Sequence, residues 1–203
     1  MSEERNAPER RKVWDLPTRL FHWALVGCFA TGWYLGEFRG FDTIELHFYF
    51  GYAIGGLVAF RLLWGLVGSP ASRLSALFFS PRATLAYVKE MKEPRPSYWP
   101  GHAPTGALSV LALLALLAAQ VITGLFSEDD GLFAAGPLAS SVDAGTRGSF
   151  GAYHALGAKL LLFLVIAHVL VIAYYAIWKR ENLVHPMISG WKQVRDRQGA
   201  GEE

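Results

Sequence analysis

Apolar residues in this chain gather into four long runs, roughly 16–36, 45–67, 105–126 and 150–178, separated by polar connections. Each run reaches the roughly 20 residues that an α-helix needs to cross a bilayer. A soluble core of this size has no use for four such runs. The connections differ in charge. The N-terminal tail carries Arg5, Arg10, Arg11, Lys12 and Arg19, the middle connection Arg73, Arg82, Lys89, Lys92 and Arg95, and the C-terminal tail Lys179, Arg180, Lys192, Arg195 and Arg197. The other two connections hold one basic residue each, Arg39 and Arg147. Basic loops are retained in the cytoplasm. The pattern therefore predicts an all-α integral membrane protein, a single domain over 1–203 forming a four-transmembrane-helix bundle with both termini cytoplasmic. The first run follows a polar, basic tail and lacks a small-residue cleavage site, so it is expected to stay in the protein.

Composition narrows the chemistry. The chain is 52% hydrophobic and 14% aromatic, with a net charge of +2. Cys28 is the one cysteine, so no internal disulfide forms, and no CxxCH motif offers thioether attachment of a haem. No Gly-rich phosphate loop or dinucleotide fingerprint occurs, and no nucleic-acid partner is expected.

The middle connection contains Ser80-Pro81, an N-cap followed by proline at the first helical position. Leu85, Val88 and Met91 then recur at helical spacing, predicting a short amphipathic helix over about 81–92 lying on the inner leaflet. Pro94, Pro96 and Pro100 end it. The connection over 127–149 is acidic, with Glu128, Asp129, Asp130 and Asp143, and is expected to dock a basic redox partner such as a cytochrome c.

The histidines carry the functional signal. His154 and His168 are fourteen residues apart in the fourth run, so they leave nearly the same helix face, roughly 21 Å apart along the axis. Ionisable groups inside a membrane span are costly and point to function. His47 lies near the outer end of the second run, and His22 near the inner end of the first. The depths pair His47 with His154 and His22 with His168. Neutral imidazole is a good axial ligand for haem iron, and two of them leave no open position for oxygen chemistry. The expectation is two haems, non-covalently bound, with these four residues as ligands and no separate catalytic residue. Gly51 and Gly55 after His47, and Gly151 and Gly157 around His154, keep the ligand helices shallow for a flat cofactor; close helix packing is the other reading. Arg19 lies one turn before His22, and Arg61 lies fourteen residues after His47. Either arginine pairs with a haem propionate or snorkels to lipid phosphates. Lys159 either snorkels outward or reaches a propionate. His102, in the connection before the third run, either exchanges protons at a quinone site or is a loop residue without a role.

The run Val13-Trp14-Asp15-Leu16-Pro17-Thr18-Arg19-Leu20-Phe21-His22-Trp23 resembles the first-span signature of the prokaryotic cytochrome b561 family, which includes cytochrome b subunits of nickel–iron hydrogenases. His47 with Gly51 and Arg61-Leu62-Leu63-Trp64 resembles its second span. Gly101-His102 with Gly106-Ala107-Leu108-Ser109-Val110 resembles the approach to its third, and His154 with His168 resembles its fourth-span ligand pair. Asn182-Leu183-Val184 and Met187-Ile188-Ser189-Gly190 resemble the cytoplasmic end of hydrogenase-like members. Lys159 departs from the small or polar residue expected there. The resemblance implies a four-helix bundle, two b-type haems and electron exchange with the quinone pool in the bacterial inner membrane. The expected function is electron transfer between an extracytoplasmic redox protein (a hydrogenase, a cytochrome c or similar) and quinone. The alternative is a stand-alone superoxide:quinone oxidoreductase.

Overall fold

The structure, a computed structural model, describes residues 8–129 and 134–195. Arg5, Asp130 and Arg197 lie outside the described residues. The fold is mostly helical, built on four long helices: α1 (Leu16–Glu37), α2 (Ile44–Val67), α4 (Pro104–Phe126) and α5 (Ala144–Ile177). Two shorter ones are α3 (Pro81–Met91) and α6 (Val184–Ser189). Among the described residues α2, α4 and α5 are long and apolar enough to cross a membrane. Helix α1 has the length, at 22 residues, but Arg19, His22 and its Thr, Gly, Trp and Tyr residues dilute its apolarity.

Helix α5 starts six residues before the apolar run that announced it. Its N-cap is Asp143, whose carboxylate accepts from the Thr146 backbone N–H at 3.0 Å and the Thr146 hydroxyl at 2.6 Å. Gly145, Arg147 and Gly148 mask this first turn in the sequence.

The chain divides into two compact units. The first comprises residues 8–20, 62–111 and 166–195. Strand β1 (Glu9–Lys12) pairs antiparallel with a strand near the C-terminus (Trp191–Val194), Glu9 opposite Val194 and Lys12 opposite Trp191. Val13, Trp14 and Val194 pack behind it with Ala71 and Met187. Gly190 ends α6 in the left-handed region (φ 85°), and its carbonyl accepts from Val13 and Trp14 at 2.9 and 3.2 Å. A Cβ there would lie 2.7 Å from the Trp14 carbonyl oxygen, so glycine is required twice over.

Both ends of α3 are satisfied. Ser80 Oγ accepts from Ala83 N–H at 3.1 Å, as its N-cap role predicts. At the other end the Tyr174 hydroxyl donates to Met91 O at 2.7 Å, and Lys179 Nζ, only 2% exposed, donates to the Glu90 and Glu93 carbonyls. A cation on the last carbonyls also complements the helix dipole. Of the apolar residues of α3, Tyr87 is buried while Leu85 and Val88 face outward beside exposed Arg82 and Lys89.

Asp15 caps α1, accepting from Thr18 N–H at 2.8 Å, and gathers Ser69 Oγ (2.5 Å), Ser72 Oγ (2.7 Å) and Trp64 Nε1 (3.3 Å). Burial opposes ionisation, but the hydrogen bonds from Ser69, Ser72 and Thr18 outweigh it and hold the carboxyl well below the usual carboxylate range. A depressed folded-state pKa adds stability above the ordinary value of about 3.9, lost as pH falls from there through the folded value. Asp15→Ala should therefore cost on the order of 1.5–3 kcal/mol at neutral pH. In thermal unfolding of detergent-solubilised protein the gap between variant and parent should narrow below about pH 4. A gap independent of pH would mean that the carboxylate charge is not what holds the network.

The second unit comprises residues 21–61 and 112–165. Here α1, α2, α4 and α5 pack around Val58, Leu117 and Leu161, with Leu25, Phe29 and Ile54 against them. Strands β2 (Glu128–Asp129) and β3 (Ala134–Ala135) form a short antiparallel pair.

Candidate haem-binding site

The second unit encloses a cavity of about 800 Å³, within the roughly 300–1,000 Å³ of sites that take a cofactor-sized ligand. His47 of α2 and His154 of α5 line it. Their ring centroids are 6.0 Å apart and their planes stand at 89°.

Each ring is held the same way. His47 Nδ1 lies 2.9 Å from the Gly32 carbonyl on α1, and His154 Nδ1 lies 3.0 Å from the Gln120 carbonyl on α4. A backbone carbonyl only accepts, so in both rings Nδ1 carries the proton and Nε2 keeps its lone pair for a ligand. Four residues on from each carbonyl stands a glycine packed on the ring. A Cβ on Gly36 would lie 2.9 Å from His47 Cε1, and one on Gly124 would lie 2.9 Å from His154 Cε1. Helix α1 thus seats His47 with Gly32 and Gly36, and α4 seats His154 with Gln120 and Gly124.

These two nitrogen donors suit one metal ion between them. An imidazole nitrogen binds a transition metal at about 2 Å, so two rings on opposite sides of one ion have centroids about 6 Å apart, the spacing found here. The rest of the cavity fits a flat, apolar cofactor. Gly51 lines it, and a Cβ there would meet nothing within 4 Å. Gly151 lines it too, whereas Gly55 and Gly157 serve helix packing: a Cβ on Gly55 would press Val121 Cγ1 at 3.2 Å, and one on Gly157 would collide with the Gln120 side chain. Lys159 also lines the cavity.

The remaining expected residues fall elsewhere. His22 belongs to the second unit, edge-on to Trp23 at 5.1 Å. His168 is half-buried on α5 in the first unit. Arg61, in the second unit, is 3% exposed. In the first unit the Arg19 guanidinium donates to the Ile188 carbonyl, and His102 packs on Trp14 at 4.6 Å.

The acidic connection is less available for docking than its composition implied. Asp129 is bonded by Arg39 at 2.7 Å, Glu128 pairs with Arg147, and Asp143 is the α5 cap. Sequence reasoning missed Gly32, Gly36, Gln120 and Gly124. Their only signal was the four-residue spacing within each pair.

The family model for prokaryotic cytochrome b561 matches residues 13–190. A probable Ni/Fe-hydrogenase B-type cytochrome subunit of Azotobacter chroococcum mcd 1 is 26% identical over 217 residues, covering 91% of this chain and 89% of that protein. One from Bradyrhizobium diazoefficiens is 26% identical over 223 residues, with 91% and 86% covered. The probable Ni/Fe-hydrogenase 1 B-type cytochrome subunit of Escherichia coli K12 is 24% identical over 216 residues, with 89% of each covered. With the match running from the first strand's end to the close of α6, over a bundle that brings two histidine rings together at right angles, the chain belongs to the prokaryotic cytochrome b561 family.

Proposed function

We propose that this chain is a di-haem b-type cytochrome of the bacterial inner membrane that passes electrons between an extracytoplasmic, hydrogenase-like redox protein and the quinone pool. The observation that carries this reading is the His47–His154 pair, with rings 6.0 Å apart and both Nδ1 atoms tied to carbonyls. Bound between them, haem supplies one-electron transfer. The chain's own part is to hold the iron, keep water away with an apolar bundle and set the local charge.

A four-span arrangement is supported by the β1 pairing. Residues before α1 are hydrogen-bonded to residues after α6, which supports tails on one side of the membrane and an even number of crossings. With α2, α4 and α5 apolar enough to cross, α1 is the fourth span. The basic tails and the outward face of α3 support the cytoplasm as that side, with α3 on the leaflet. Helix α5 is unbroken from Ala144 to Ile177, which keeps His168 on the helix face of His154; the reading of His168 and His22 as ligands of the second haem rests on their depths in the sequence. Burial of Arg61 argues against snorkelling and favours a propionate partner. Arg19 is already engaged at α6, which weakens the same reading for it. His102 is the proton-exchanging group for quinone on the cytoplasmic side. The relatives' printed association with Ni/Fe-hydrogenase supplies the partner class.

Anaerobic visible spectroscopy of membranes holding this chain and a co-expressed hydrogenase tests the reading. Hydrogen gas should reduce the haem bands, and added quinone should reoxidise them. Bands that ignore hydrogen but are reduced by superoxide in the purified protein would replace the hydrogenase reading with the stand-alone one.

A further inference from the structure

The two seats of the histidine pair are alike except at one position. Where α1 offers Gly32, α4 offers Gln120, and the side chain of Gln120 is used. Its Nε2 donates to the His154 backbone carbonyl at 3.0 Å, while its own backbone carbonyl lies 3.0 Å from His154 Nδ1. The amide orientation follows from chemistry: a carbonyl only accepts, so the nitrogen faces it. Gln120 therefore grips His154 at both backbone and ring. Gly157, one turn further along α5, leaves the room this amide occupies. Thr123 adds a second contact, its Oγ1 lying 3.1 Å from the Gln120 carbonyl and 3.3 Å from His154 Nδ1. His47 has no side chain doing the equivalent from Gly32.

We infer that Gln120 is a positioning residue that fixes the plane of the His154 imidazole perpendicular to that of His47, and so sets the electronic type of the haem between them. This rests on the reading of His47 and His154 as ligands of one haem. The 89° angle has a physical consequence. Each imidazole donates π-density along one direction of the haem plane. Parallel rings split the two iron d-orbitals that lie perpendicular to that plane, whereas crossed rings leave them nearly degenerate. Near-degeneracy in low-spin ferric haem gives a strongly anisotropic paramagnetic signal, with its largest g value well above that of a parallel pair. Outer partners of metal-bound histidines orient the ring in this manner. The amide on the α5 carbonyl stops the backbone beneath His154 from shifting, and the shared Gln120 carbonyl fixes where Nδ1 points.

The test is low-temperature electron paramagnetic resonance of the oxidised, full-length protein in detergent, as parent, Gln120→Leu and Gln120→Met. The parent should show a high-g low-spin signal that His47→Ala abolishes. Gln120→Leu keeps the bulk and loses the donor, and its highest g feature should move down and broaden at unchanged haem content. Gln120→Met keeps the length and has no donor, so it should shift in the same sense. If Gln120→Met keeps the parent signal while Gln120→Leu does not, the residue acts by shape and the inference falls. If neither variant moves the signal, it falls as well. If the parent has no low-spin signal that depends on His47, the ligand reading itself fails, which is a separate result.

Discussion

Replacing either His47 or His154 with alanine should remove one of two haems, cutting the haem-to-protein ratio by about half, and the double variant should lose no more than either single one. The reason is shared dependence. On the proposed ligation each imidazole would be one of two protein bonds to the same iron, so the second loss would have nothing left to remove, and effects at groups acting as a unit are non-additive. The helices should survive, because both rings face the cavity and the bundle is held by Val58, Leu117 and Leu161, which neither substitution touches. His22→Ala and His168→Ala should remove the other haem, and combining one variant from each pair should leave almost none. Haem content by the pyridine haemochrome method against protein concentration, with circular dichroism for helix content, reads the outcome. Single variants at His47 and His154 whose losses add would mean that the two residues serve different haems.

Much of this architecture was legible in the sequence because its causes are local. Length and apolarity announce a span whatever surrounds it. The histidine depths follow from 1.5 Å of rise per residue. The α3 cap was legible because Ser-Pro carries its geometry within two residues. What stayed hidden depends on one helix meeting another. Asp15 stands in the first-span run, but its partners Trp64, Ser69 and Ser72 lie some fifty residues away. Strand β1, with sequence Glu-Arg-Arg-Lys, has no apolar alternation and exists because the C-terminal tail returns to it. The acidic character of the 127–149 connection was legible as composition, while the pairing of Asp129 with Arg39 and of Glu128 with Arg147 depends on where the fold brings the arginines. In the site itself, His47 and His154 could be singled out from their chemistry, but the carbonyls and glycines that seat them are set by the register of α1 against α2 and of α4 against α5.

That register gives the second large effect. Gly124→Ala and Gly36→Ala each add one methyl group where a Cβ would lie 2.9 Å from the ring of His154 or His47. The ring has little room to yield, because its Nδ1 is tied to a carbonyl one turn earlier on the same helix. Keeping the hydrogen bond means a clash, and relieving the clash means rotating the imidazole away from the iron. Overpacking of this kind costs about 1–3 kcal/mol, so haem affinity at the site should fall roughly 5- to 150-fold, each 1.4 kcal/mol being a factor of ten. Stability of the cofactor-free helices should move the other way, since alanine favours helix over glycine by up to about 1 kcal/mol. A variant that loses haem while its apoprotein resists heat at least as well as the parent separates a ring-seating role from a general packing defect. Two comparisons sharpen this. Gly27→Ala meets nothing within 4 Å and does not line the cavity, so it should bind haem as the parent does. Gly51→Ala also meets no protein atom, yet it intrudes on the cavity, so it should weaken haem binding without disturbing either histidine. Haem titration of the apoproteins, followed at the absorption maximum, measures all four. Full parental affinity in Gly124→Ala would show that the His154 ring is not confined as described, and the perpendicular ligand geometry would lose its support with it.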